Sequence, residues 1–114
     1  MELNDFQTQA RHFVDYPVQI GPYASILSLS NNTGILSQKL YDTLKHIETP
    51  FTENEIKKMS ITIGDILYDI SNLCTDLGLT LDECAALNIR KRTIMKEKEI
   101  ANMENKNKIN KEQV

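Results

Sequence analysis

The chain is predicted to be all-α. Three observations point there: apolar residues recur at three- and four-residue spacing through about residue 95, two capping boxes open the later helices, and no stretch alternates apolar and polar residues long enough to compete as a strand. At 114 residues, 40% of them hydrophobic and 25% charged, the chain has the size and balance of one compact domain. With no Trp and few aromatics, aliphatic side chains must supply most of its core.

Asn4 is placed to cap a first helix whose apolar positions are Phe6, Ala10, Phe13 and Val14, and Pro17 ends it after Tyr16. Gly21-Pro22 is a turn. A second helical stripe follows through Ile26, Leu27, Leu29, Ile35, Leu36, Leu40, Leu44 and Ile47, and the polar run Ser30-Asn31-Asn32-Thr33-Gly34 is expected to weaken or kink it. Thr49-Pro50-Phe51 breaks the chain, and Thr52 with Glu55 forms a capping box for the third helix. That helix carries a broad apolar face from Ile56 to Leu77, expected to be the centre of the core, and Gly78 stands where a left-handed C-terminal residue belongs. Thr80 and Glu83 repeat the box, so a fourth helix runs through Cys84, Leu87 and Ile89 towards Met95. Residues 1–95 form the expected helical domain. From Lys96 to residue 114 Lys, Glu and Asn dominate, and this charged tail is expected to be a frayed helix or disordered.

Residues 1–89 hold five Lys or Arg against twelve Asp or Glu, and residues 90–114 hold eight against four, so an acidic body carries a basic tail. That tail lacks interleaved aromatics, which argues against a nucleic-acid partner. No apolar run reaches the roughly 18–20 residues of a membrane span and no signal-peptide pattern opens the chain, so a cytoplasmic protein without a membrane partner is expected. Cys74 and Cys84, ten apart on helical patterns, are expected to be reduced and buried. His12 and His46 have no acid or cysteine at suggestive spacing, and no nucleophile, base and acid arrangement is readable.

The segments Leu3-Asn4-Asp5-Phe6-Gln7, Tyr16-Pro17, Tyr23-Ala24-Ser25-Ile26-Leu27-Ser28-Leu29, Gly64-Asp65-Ile66-Leu67-Tyr68, Leu77-Gly78-Leu79-Thr80-Leu81-Asp82-Glu83, and Asn88 with Lys91 are similar to those of the MazG-like all-α nucleoside triphosphate pyrophosphohydrolases over roughly residues 3–92. The resemblance implies a MazG-like antiparallel bundle of four main helices, completed by association into a homo-oligomer, dimer or tetramer. In that family a glutamate pair on the second helix and a Glu-x-x-Asp on the third hold Mg²⁺ against a triphosphate. Residues three apart on a helix share a face, so two such pairs ring one cavity. Here the first pair falls on Asn32 and Ile35 and the second on Thr62 and Asp65, leaving one carboxylate of four.

Metal affinity depends on the number of charged ligands, so no metal, no cofactor and no catalytic residue are expected. What the resemblance then implies is a nucleotide-binding pseudoenzyme, with Tyr23, Asn32, Thr62, Asp65, Tyr68, Asp69, Asn88 and Lys91 around a nucleotide or cyclic nucleotide. By analogy, such a protein suits a phage sponge against nucleotide-based immunity. Plainer readings stand beside it: Asp65 and Asp69 as solvated acids, Asn88 as a surface amide, Lys91 as part of the basic tail, and Tyr23 and Tyr68 as packing residues. Two alternatives remain open. One is an atypical Mg²⁺-dependent pyrophosphohydrolase using Asp65, Asp69 and either Glu55 or Asp42; the other is a protein-interaction module that binds no nucleotide.

Overall fold

The computed structural model of the chain describes residues 1–112. It contains four α-helices, α1 (Leu3–Arg11), α2 (Gly21–Asp42), α3 (Glu53–Asp76) and α4 (Leu81–Glu112), with 3₁₀ turns at Val18–Ile20 and Thr43–His46 and no strand among the described residues. None of these helices is long and apolar enough to cross a membrane. Two compact units divide the chain, residues 1–81 and the remainder.

In the first unit α1 is shorter than its apolar pattern predicts, and Asn4 lies inside it rather than capping it. After Arg11 the amides of His12, Phe13 and Val14 bond only three residues back, tightening the last turn. Residues 12–16 then leave the helix, as Pro17 requires of the residue before it. The polar run of α2 neither breaks nor ends the helix. Thr33 Oγ1 donates to the Ser30 carbonyl at 2.9 Å and Ser37 Oγ to the Thr33 carbonyl at 3.0 Å, so these hydroxyls are satisfied within the helix. Asn32 is held from outside it by α3. Tertiary contacts here outweigh local propensity.

The capping box at Thr52 is complete. Glu55 N donates to Thr52 Oγ1 at 3.1 Å, and Thr52 N donates to Glu55 Oε1 at 2.8 Å. α3 ends on Gly78 in the left-handed region, with Leu79 N bonded to the Cys74 carbonyl at 2.8 Å.

The interior of this unit departs in part from the sequence expectation: Met59, Ile66, Leu67, Ile70 and Leu73 of the expected core face are half-buried and Cys74 is buried, but polar residues join them. Gln7, Ser25, Thr43, Thr62, Asp69, Ser71 and Asn72 are buried, whereas Ile56, Ile63 and Leu77, three members of the expected core face, are exposed. The reason lies in α2 and α3, which carry apolar residues on more than one side, and the side they turn to each other is the one with polar residues at every second turn. Cys74 is buried and Cys84 half-buried, and the two do not form a disulfide.

The second unit holds α4 from Asp82 onward; the first turn of that helix carries Asp82 and Glu83 and its last turn Lys111, in the sense the helix dipole favours. The helix does not fade near Met95 but continues through the charged segment to Glu112, because Lys and Glu are themselves good helix formers. From Ala86 onward every described residue is exposed. The last two residues of the expected tail lie outside the described residues.

Candidate functional site

α2 and α3 pack antiparallel, with a seam of coiled-coil spacing. The inward positions are 25, 29, 32, 36, 39 and 43 on α2 and its 3₁₀ extension, and 55, 59, 62, 66, 69, 73 and 76 on α3, all buried or half-buried. A polar residue recurs every seventh position on both helices, the 3₁₀ turn adding His46, so that 25, 32, 39 and 46 stand against 76, 69, 62 and 55. Leu29 and Leu36, with Ile66 and Leu73, occupy the layers between.

Each polar pair is a rung. His46 Nε2 lies 2.8 Å from Glu55 Oε2. The Thr52 amide first, and His46 second, pull the Glu55 carboxyl below its ordinary pKa. Lys39 Nζ donates to Thr62 Oγ1 at 2.6 Å and to the Lys58 carbonyl at 3.3 Å. Asn32 Nδ2 donates to Asp69 Oδ2 at 2.7 Å. The fourth rung is bridged: Tyr16 Oη donates to Asp76 Oδ2 at 2.6 Å and sits 3.1 Å from Ser25 Oγ, while Arg11 Nη2 pairs with Asp76 Oδ1 at 2.8 Å. The Asp76 hydrogen bond raises the Arg11 pKa; burial, and then Asp76, raise that of Tyr16. Gly21 is required here, since a Cβ on it would meet the Asp76 carboxyl at 2.6 Å. Beside the third rung, Asn72 is 1% exposed and its Oδ1 has no hydrogen-bond partner.

Of the residues the sequence nominates, the structure brings Asn32, Thr62 and Asp69 onto this one seam. Asp65 is exposed although it is one turn from buried Asp69, so the two do not form a matched pair. Tyr68 is half-buried, and its hydroxyl pKa is raised by burial and by the nearby charges of Asp15 and Asp69. Tyr23 is 70% exposed on α2. Asn88 and Lys91 are exposed on α4, where Asn88 Oδ1 accepts from Arg92 Nε at 3.0 Å. Ile35 is exposed, and Gln38 Nε2 donates to Asp42 Oδ1 at 2.9 Å.

The donor set does not fit Mg²⁺. Thr62 Oγ1 is taken by an ammonium, which would repel a cation at that point. Asn32 turns its amide nitrogen to the one buried acid nearby, and no three His, Cys, Asp or Glu among the described residues group to hold a metal ion. Asp42 lies with Glu55 along a second groove beside Lys39 and Lys58, and Glu55 is already engaged by Thr52 and His46.

A separate groove of about 490 Å³ lies between α1 and the C-terminal end of α3, lined by Asn4, Gln7, Thr8, Arg11, His12, Thr75 and Thr80. None of the nominated residues lines it. Buried Gln7 closes its floor, with Nε2 donating to Thr75 Oγ1 at 3.0 Å and to the Leu79 carbonyl at 2.9 Å, and with Oε1 accepting from Leu81 N at 2.8 Å.

Lys39, Arg11, Tyr16 and Asp76 are the partners that sequence reading missed. The seven-residue recurrence of polar residues was the available sign, but apolar stripes beside it drew the helical pattern elsewhere. No protein-family model, no curated protein and no solved structure matches the chain.

Proposed function

We propose that this chain is a non-catalytic, MazG-like helical protein that acts by association, its α2–α3 hairpin offering apolar flanks to another protein surface. The observation that carries this is the exposure of the hairpin's apolar flanks. Its seam buries Thr62 and Asp69 and half-buries Asn32 beside Leu29, Leu36, Ile66 and Leu73, while Tyr23, Leu27, Ile56 and Ile63 face solvent. Exposed apolar residues of this size, placed on neighbouring helices, mark a surface that another chain covers. The polar rungs have a consistent role, since polar pairs in a helical seam fix register and direction at some loss of stability. The MazG-like assignment is supported by the all-α architecture and by a hairpin that places positions 32 and 62, where the resemblance expects acids, on one seam.

Incubation with the common ribo- and deoxyribonucleoside triphosphates and Mg²⁺ tests the absence of catalysis. No pyrophosphate release above background is expected. Release that Asp65→Ala abolishes would overturn this reading.

A second reading, binding of a nucleotide-derived anion without metal, rests on the groove beside Arg11 and His12, whose volume is in the range of small-ligand sites. Thermal-shift measurements against cyclic, linear and ADP-ribose-type nucleotides, with and without EDTA, decide it. A stabilisation that His12→Ala removes would favour it over simple association.

A further inference from the structure

From Tyr16 to Gln38 no residue is charged, although a quarter of the chain is. Most of this stretch is α2, so the side turned away from the seam is as free of charge as the seam positions 25, 29, 32 and 36. There, positions 23, 27, 30, 34, 37 and 41 follow at intervals of four and three, a second coiled-coil stripe on the opposite face of the same helix. All six residues are exposed, Tyr23 at 70%, Leu27 at 71% and Tyr41 at 67%. At the middle of the stripe is Gly34, around which nothing lies within 4 Å of where a Cβ would be. A helix face meant for water is richer in charge, and alanine would serve an exposed helix interior better than glycine.

We infer that this stripe is the contact between two copies of the chain, α2 against α2, antiparallel about a two-fold axis that passes between Ser30 and Gly34. The inference rests on the association reading and names its partner. Register is the first reason: laid antiparallel on itself, the stripe sets Tyr23 over Tyr41 of the second copy, Leu27 over Ser37 and Ser30 over Gly34. Small residues then meet at the centre, where the two backbones must approach, and the tyrosines close both ends, about 27 Å apart at 1.5 Å per residue. Such a self-matching patch is what an isologous dimer requires.

Charge is the second reason. The stripe offers nothing to select a basic or acidic partner, and depletion of charge at the centre is the mark of an interface core. Area is the third. Four tyrosines at roughly 150–250 Å² each, two-thirds exposed, bring about 400–650 Å², a third to a half of the roughly 1,200 Å² at which stable interfaces begin. Leu27 and Ile26 of both copies extend it.

The test is sedimentation velocity of the intact chain at micromolar concentration beside Gly34→Arg, which the open space at Gly34 lets the fold accept. The wild type is expected to be dimeric or a multiple of it, and Gly34→Arg to weaken association at least 100-fold while helical circular dichroism is kept. Tyr23→Ser/Tyr41→Ser serves as the second variant, with the same expectation. In a Cys74→Ala/Cys84→Ala background, Tyr23→Cys chains mixed with Tyr41→Cys chains should oxidise to a covalent heterodimer, and neither alone should do so. A monomeric wild type would overturn the association reading as well. An assembled wild type that survives Gly34→Arg, or that yields instead to Ile63→Arg, would overturn the α2 contact and leave association standing through α3.

Discussion

Asn72 is a buried amide whose oxygen is unpaired, and its Nδ2 donates to the Tyr68 carbonyl at 3.3 Å. An unsatisfied buried acceptor costs about 1–3 kcal/mol, so Asn72→Val, apolar and only slightly larger, should raise the unfolding free energy by roughly 1 kcal/mol in urea titration; a clear loss would contradict the assignment of the Asn72 oxygen as unpaired. The third rung predicts the reverse. Asn32→Leu removes the donor to buried Asp69 and should cost about 1.5–3 kcal/mol, the range for hydrogen bonds to charged groups. Adding Asp69→Leu should recover most of that loss, because an apolar pair replaces a stranded acid. At this scale the sequence was legible only in part. Asn32, Thr62 and Asp69 could be singled out as a group, yet nothing in their own positions revealed that Lys39 would fill the place of a cation.

The helices themselves were more legible, since caps and breakers act locally. Thr52 and Glu55 form the box their spacing predicts, and Thr52→Ala should cost about 1 kcal/mol. The pH dependence follows from Glu55. Its folded pKa is lowered, so its contribution is present above the ordinary value of 4.5 and is lost as pH falls through the depressed value. The protection of amides at the start of α3, taken against their intrinsic exchange rates, should therefore fall below about pH 4.5 in the wild type, and Thr52→Ala should flatten that dependence. The continuity of α2 was not legible, because Asn, Thr and Gly are poor in isolated helices and the contact that holds Asn32 comes from α3. Gly64 lies in open space within α3, so Gly64→Ala should stabilise by roughly 0.5–1 kcal/mol, read as a higher unfolding midpoint.

At the scale of the molecule, helical period fixes the class but not which face is inside. α2 presents Leu29 and Leu36 to the seam and Tyr23 and Leu27 to solvent, so its pattern fits two orientations equally well. Only the polar recurrence at 25, 32, 39 and 46 against 76, 69, 62 and 55 decides between them, and it decides for an interior that would ordinarily be called a surface. The last stretch of α4, exposed throughout, offers little to such an interior, and removing residues 100–114 should leave any assembly intact. On the proposed association, the hairpin's seam holds polar rungs with Leu29, Leu36, Ile66 and Leu73 between them, and the apolar residues on its flanks need a second surface. Sedimentation equilibrium of the intact chain, from about 1 to 100 μM and in EDTA, tests that need most directly. A mass of twice 13.1 kDa or a higher multiple, unchanged by removal of divalent ions, is the expected result. A single species of 13.1 kDa across the whole range would contradict it.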